Sequence, residues 1–128
     1  MKRIVHTTWA PKAVGPYSQA VEINGTLYIS GQIPMDPETG EIVKGGIREQ
    51  TKRVLENIRV ILNAAGYSPQ DVVKSTCLLS DMKNFQVMNE VYESFYPVDP
   101  PARAAFQVAK LPLDVMIEIE TIAVKQHG

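Results

Sequence analysis

Residues 102–124 read Ala102-Arg103-Ala104-Ala105-Phe106-Gln107-Val108-Ala109-Lys110-Leu111-Pro112-Leu113-Asp114-Val115-Met116-Ile117-Glu118-Ile119-Glu120-Thr121-Ile122-Ala123-Val124. Two β-type runs, 102–109 and 115–124, flank a turn built on Leu111-Pro112. Successive side chains of a strand point to opposite faces. Ile117, Ile119, Thr121 and Ala123 therefore share one face, and Met116, Glu118, Glu120, Ile122 and Val124 the other. In the first run, Ala104, Phe106 and Val108 stand opposite Arg103, Ala105, Gln107 and Ala109. Placing the more apolar set of each strand under a helical cover leaves a second face that mixes three charges with apolar side chains. That face is too apolar for open solvent and too charged for a private core, so it is expected to be a subunit interface holding a polar pocket. A guanidinium or carboxylate in such runs costs several kcal/mol, of order 1–5, unless a partner of opposite charge meets it.

Upstream, two apolar stripes recur at helical spacing. Ile47, Val54, Leu55, Ile58, Ile61, Leu62 and Ala65 predict a helix over 47–65, closed by Gly66 with Pro69 close behind. Phe85, Met88, Val91, Tyr92 and Phe95 predict a second, with Asn84 as N-cap and Pro97 as stop. Strand signals lie at Thr26 to Ser30 and Val72 to Leu79, with weaker ones at Ile4 to Thr7 and Ala20 to Ile23, and Asn24-Gly25 marks a hairpin turn. The order of core elements is strand, helix, strand, helix, strand, strand. It predicts an α+β sandwich, a mixed sheet with two helices on one face, formed by residues 1–128 as one domain.

The 128 residues carry a net charge of −1, which supplies no global attraction to nucleic acid or acidic membranes. The single cysteine, Cys77, sits in a strand and is expected to be core packing; with no intrachain disulfide possible, a reducing compartment fits best. His6, Thr7, Thr8 and Pro11 interrupt what would have to be a secretory apolar run, and no stretch has membrane-spanning length, so a cytoplasmic location is expected. Both histidines, His6 and His127, stand near chain ends. No metal-ligand spacing, P-loop or G-x-G-x-x-G fingerprint is present, and no metal or cofactor is expected. Arginine, glutamate, tyrosine, backbone amides and water remain, a set suited to a small anionic substrate and an activated water.

Gly15-Pro16-Tyr17-Ser18-Gln19-Ala20, Ser30-Gly31-Gln32-Ile33-Pro34, Asn89-Glu90-Val91-Tyr92, Pro101-Ala102-Arg103, and Leu111-Pro112 before Ile117-Glu118-Ile119-Glu120 together resemble the Rid (YjgF-like) reactive-intermediate deaminases. The resemblance covers almost the whole chain. It implies a chorismate-mutase-like fold, a homotrimer with sites in the clefts between subunits, and cofactor-free hydrolysis of enamine or imine acids such as 2-aminoacrylate and 2-iminopropanoate to 2-keto acids and ammonia. Such substrates arise from pyridoxal-phosphate enzymes, a functional link that needs no stable complex. By the same resemblance Arg103 binds the substrate carboxylate, Glu118 positions or deprotonates the attacking water, Tyr17 walls the pocket from a neighbouring subunit, and Ser30, Gly31, Asn89 and Ala105 line it. Many bacterial relatives have Arg-Ser-Cys where this chain has Arg103-Ala104-Ala105, so thiol chemistry at that position is not expected here.

Plainer readings stand beside these. Glu118 is equally suited to be a permanent ion-pair partner of Arg103, Tyr17 to be simple packing, Gly31 a turn glycine, Asn89 a solvated helix amide, and Glu120 an interface or surface carboxylate. Two other functions compete with the deaminase: RNA binding or endoribonuclease-type translation inhibition, against which the charge and the lack of a central histidine pair argue, and non-catalytic binding of small keto or amino acids in the same pocket.

Overall fold

The computed structural model describes residues 1–125; His127 lies outside them. β1 (Arg3–Val5), β2 (Ala20–Ile23), β3 (Thr26–Gln32), α1 (Ile47–Ala65), β4 (Val72–Leu79), α2 (Phe85–Phe95), β5 (Ala102–Gln107) and β6 (Ile117–Val124) follow in chain order. Asn24 and Gly25 both have positive φ, 50° and 77°, the type I′ geometry that matches the twist of the β2–β3 hairpin. Gly66 at φ 85° ends α1, its N–H bonding Asn63 O at 3.1 Å while Tyr67 N–H reaches Leu62 O at 2.9 Å. At α2 the expected cap is displaced. Asn84 already has helical dihedrals and its side chain caps nothing; Asp81 instead accepts from Lys83 N–H at 2.9 Å and starts a 3₁₀ turn, Met82–Asn84, that runs into the helix. The chain closes α2 at Phe95, two residues before Pro97.

Six strands form one sheet in the order β1-β2-β3-β6-β4-β5, antiparallel throughout except for the parallel pair β4–β5. β3 and β4 are each antiparallel to β6, hence parallel to one another. The chain therefore makes two parallel crossovers, β3-α1-β4 and β4-α2-β5, progressing in the same direction across the sheet. Crossovers of one hand place both helices on the same face. Every residue of the predicted α1 stripe is buried, and with Met88 from α2 it packs on Leu27, Ile29, Cys77, Leu79, Ile117 and Ile119. Among the described residues no helix is long and apolar enough to cross a membrane.

Register decides which side each strand residue takes. Ser75 pairs with Thr121 on β6 and Arg103 on β5, and Cys77 with Ile119 and Ala105; these rows face the helices. Thr76 pairs with Glu120 and Ala104, and Leu78 with Glu118 and Phe106; these rows face away. The faces expected for β6 are the observed ones. Those expected for β5 are reversed: Arg103 and Ala105 look toward the helix layer, and Phe106 lies on the open face, 48% exposed. Alternation supplies only which residues share a side, and the phase chosen from apolarity fails because β5 is an edge strand whose charged residue finds aromatic cover on α2. The open face is largely uncovered in one chain, with Ile4, Val21, Tyr28 and Ile122 forming a continuous cross-strand row.

Candidate functional site

The predicted site residues divide into two groups. The first gathers at the β3–β6 end of the open face. Ser30 donates its hydroxyl to Ser18 O at 2.6 Å and its N–H to Gln19 O at 2.9 Å, which ties the loop carrying Tyr17 to β3. Gln19 is the buried pin of that loop, its amide accepting from Thr7 N–H at 2.8 Å and donating to Thr7 O and Pro11 O. Tyr17 itself is half exposed, with Val14 N–H reaching its hydroxyl at 3.4 Å. β3 continues two residues past the expected end at Ser30, with an irregularity in its pairing to β6 between Ile29 and Gln32. Within that stretch Gly31 faces the Glu118 side chain: a Cβ there would fall 2.9 Å from Glu118 Cδ and closer still to Oε2. Asn57 of α1 holds the chain that leaves β3, donating to Ile33 O at 3.2 Å and Met35 O at 3.1 Å.

Glu118 is half-buried among these groups. Its pKa is raised above the ordinary carboxylate value, first by burial and then by the charge of Glu120 on the same face. Such a carboxylate holds its proton more firmly and is a better base for water than an exposed one.

The second group lies on the helix side of β5. Arg103 Nη1 donates to Asn89 Oδ1 at 2.7 Å, and its Cζ stands 4.9 Å from the Tyr92 ring centroid and 5.4 Å from that of Phe85. Asn89, Tyr92, Glu93, Tyr96, Pro100, Pro101 and Arg103 line a cleft of about 460 Å³. Beneath it, the Ser75, Tyr92 and Tyr96 hydroxyls are buried, and burial pushes both phenols up. Cys77 is a core residue, as expected, its thiol pushed up to about 11 by burial despite the pull of the nearby Arg103 charge. It remains protonated at neutral pH. Ala105 follows on the edge strand. Val108 N–H bonds Leu79 O at 3.0 Å, and the two-residue alternation of a parallel ladder then turns the Ala105 backbone groups off the free edge.

Arg103 and Glu118 are not ion-paired. They occupy opposite faces of the sheet, on strands separated by β4, roughly 10 Å in the pairing direction alone. Of the two roles open to Glu118, the permanent counter-ion is thus not the one adopted within this chain. Sequence reasoning found Arg103 and Asn89 but assigned Phe85 and Tyr92 to the core; the spacing 85, 89, 92 on one helical face was the signal available.

A family model described as Endoribonuclease L-PSP matches residues 7–125. A RutC family protein of Pyrococcus horikoshii is 56% identical over 126 residues, covering 98% of this chain and all of its own. The human 2-iminobutanoate/2-iminopropanoate deaminase is 49% identical over 125 residues, covering 98% of this chain and 91% of the human protein. The crystal structure of RidA from the Antarctic bacterium Psychrobacter superposes with a TM-score of 0.92 at 48% identity, over 95% of this chain and 98% of that one. With likeness running nearly end to end in both sequence and fold, the chain belongs to the Endoribonuclease L-PSP family, to which the Rid (YjgF-like) proteins also belong.

Proposed function

We propose that this protein is a cofactor-independent deaminase that hydrolyses 2-iminobutanoate, 2-iminopropanoate and their enamine tautomers to 2-keto acids and ammonia, as its human relative is named for doing. One observation carries the site assignment: among the described residues the chain presents a guanidinium without a carboxylate partner in one group and a carboxylate of raised pKa in another. A carboxylate-bearing imine needs both. Because the two groups sit on opposite faces, the working site is composite, with Arg103 from one subunit of a homotrimer facing Glu118 of the next across the interface.

In this site Arg103 binds the substrate carboxylate through two parallel N–H bonds, which neutralises and orients it. The backbone of Ala105, which points outward at the free edge, and that of Gly31 flank the imine, Asn89 steadies the arginine, and Tyr17, anchored through the Ser18–Ser30 bond, walls the pocket. Glu118 accepts a proton from water as the water oxygen bonds the carbon of the protonated imine, the C=N π pair moving to nitrogen to leave a neutral amine. The protonated glutamate then gives that proton to the nitrogen, the C–N bond breaks with its pair leaving on ammonia, and the hydroxyl releases its proton through the freed Glu118 carboxylate to solvent as its O–H pair closes the keto C=O. Imines hydrolyse readily in water, so positioning supplies most of what is needed. On this reading its substrates come from pyridoxal-phosphate enzymes that release enamines, with no stable complex required, and the protein acts in the cytoplasm, where its single cysteine stays reduced.

The test is ammonia release from an imine generated in situ, with and without the protein. Arg103→Ala is expected to reduce the rate to the uncatalysed one while the oligomer persists; a variant of full activity removes the assignment. Wild-type protein that binds keto acids without accelerating release makes it a carrier instead, and RNA cleavage that survives repeated purification supports the activity in the family's description.

A further inference from the structure

We infer that Phe85 and Tyr92 are positioning residues for catalysis, an aromatic clamp that fixes the Arg103 guanidinium in place without engaging it in an ion pair. The inference rests on the reading of Arg103 as the carboxylate site and extends it to two rings to which that reading gave no role.

Residues 85, 89 and 92 stand at i, i+4 and i+7 of α2, one face of a helix. Two rings therefore flank an amide, and Arg103 rises from the neighbouring edge strand to meet all three. Both ring centroids lie within the roughly 6 Å over which a ring quadrupole attracts a cation. A guanidinium has about five N–H donors in one plane. Asn89 takes one, the two rings hold the cation without occupying an N–H, and the donors that remain suffice for a carboxylate to dock bidentately.

The choice of partners matters chemically. A glutamate in place of either ring would hold the arginine as well but compete with the substrate carboxylate. Rings and an amide oxygen hold a cation without neutralising it. Among the described residues no carboxylate hydrogen-bonds or ion-pairs with Arg103, and Glu90, beside Asn89 on α2, is directed away to Arg48 at 2.6 Å. The clamp is also stiff. Tyr92 is 5% exposed and its ring packs on that of Tyr96 at 4.9 Å, which meets Phe95 edge-on at 4.7 Å.

The experiment compares Phe85→Leu, Tyr92→Leu and Tyr92→Phe, each confirmed by circular dichroism and sedimentation to keep the wild-type fold and assembly. Turnover of 2-iminobutanoate gives KM and kcat, and calorimetry gives Kd for 2-oxobutanoate, a stable carboxylate probe. The leucine variants are expected to raise KM and Kd together by about tenfold, with kcat within about threefold, because the clamp acts on the group that binds carboxylate. Tyr92→Phe, which keeps the ring, is expected to recover most of that loss. Methylguanidinium is expected to restore turnover to Arg103→Ala, and to do so more weakly in Arg103→Ala/Phe85→Leu. Folded leucine variants with unchanged KM and Kd, or equal rescue in both backgrounds, overturn the clamp. Should Tyr92→Leu not fold, the more exposed Phe85 decides alone. An active Arg103→Ala would sink the carboxylate site itself, whereas an inactive one with unaffected leucine variants sinks only the clamp.

Discussion

Glu118 and Glu120 are two residues apart on β6 and point to the same open face, so each feels the other's charge. Burial and that repulsion both raise the Glu118 pKa. As the proposed base, Glu118 would work only when ionised, so activity is expected to fall as pH drops through its raised pKa. Glu120→Gln removes the repulsion and leaves the burial. The acid limb of the kcat/KM profile is then expected to move to lower pH, with the plateau little changed; a limb that stays in place or moves upward contradicts the assignment of Glu118 as the base. Arg103 and Glu118 were both legible in the sequence as charges in apolar runs. What met them was not. Alternation along one strand says nothing about the residues across the sheet or on the helix above, so the Tyr92 and Phe85 rings, read simply as core, became visible as guanidinium partners only in the fold.

Among the elements, β3 shows how local backbone shape sets the place of the carboxylate proposed as the base. Gly31 lies where the pairing of β3 with β6 is irregular, and its missing Cβ is the space into which the Glu118 carboxylate folds. Gly31→Ala is expected to displace that carboxylate rather than unfold the strand, since the clash falls mainly on the end of a flexible side chain. A shift of about 1 Å at a catalytic group can cost up to roughly a hundredfold. We therefore expect kcat to fall at least tenfold with an unchanged circular dichroism spectrum, and an alanine variant of normal kcat rejects the contact as functional. The helices were the most legible elements because each carries a long apolar stripe and a strong stop, Gly66 for α1 and Pro97 after α2. The phase of β5 was misjudged. Six residues with two faces of similar apolarity do not choose a side on their own; the register Ser75 to Arg103 does.

For the whole molecule, the open sheet face and the divided site make one prediction. If Arg103 and Glu118 meet only across a subunit interface, inactive Arg103→Ala and Glu118→Ala proteins refolded together at equal amounts regain activity. In a three-fold ring with one site per interface, random assembly restores roughly a quarter of the sites. No recovery in demonstrated mixed oligomers would mean that both groups act from one chain. The row Ile4, Val21, Tyr28 and Ile122 continues the same open face and supplies apolar area for such an assembly.

By itself the sequence determined the elements, their order, the core stripes, the family motifs and the two charges out of place, because periodicity, turn chemistry and the cost of an apolar charge are all local properties of the chain. Only the tertiary structure decided which face each charge took and what stood beside it. Arg103 turned to two rings and an amide, and Glu118 to a glycine on the opposite face, because strand register and crossover hand are set by contacts between segments far apart in sequence.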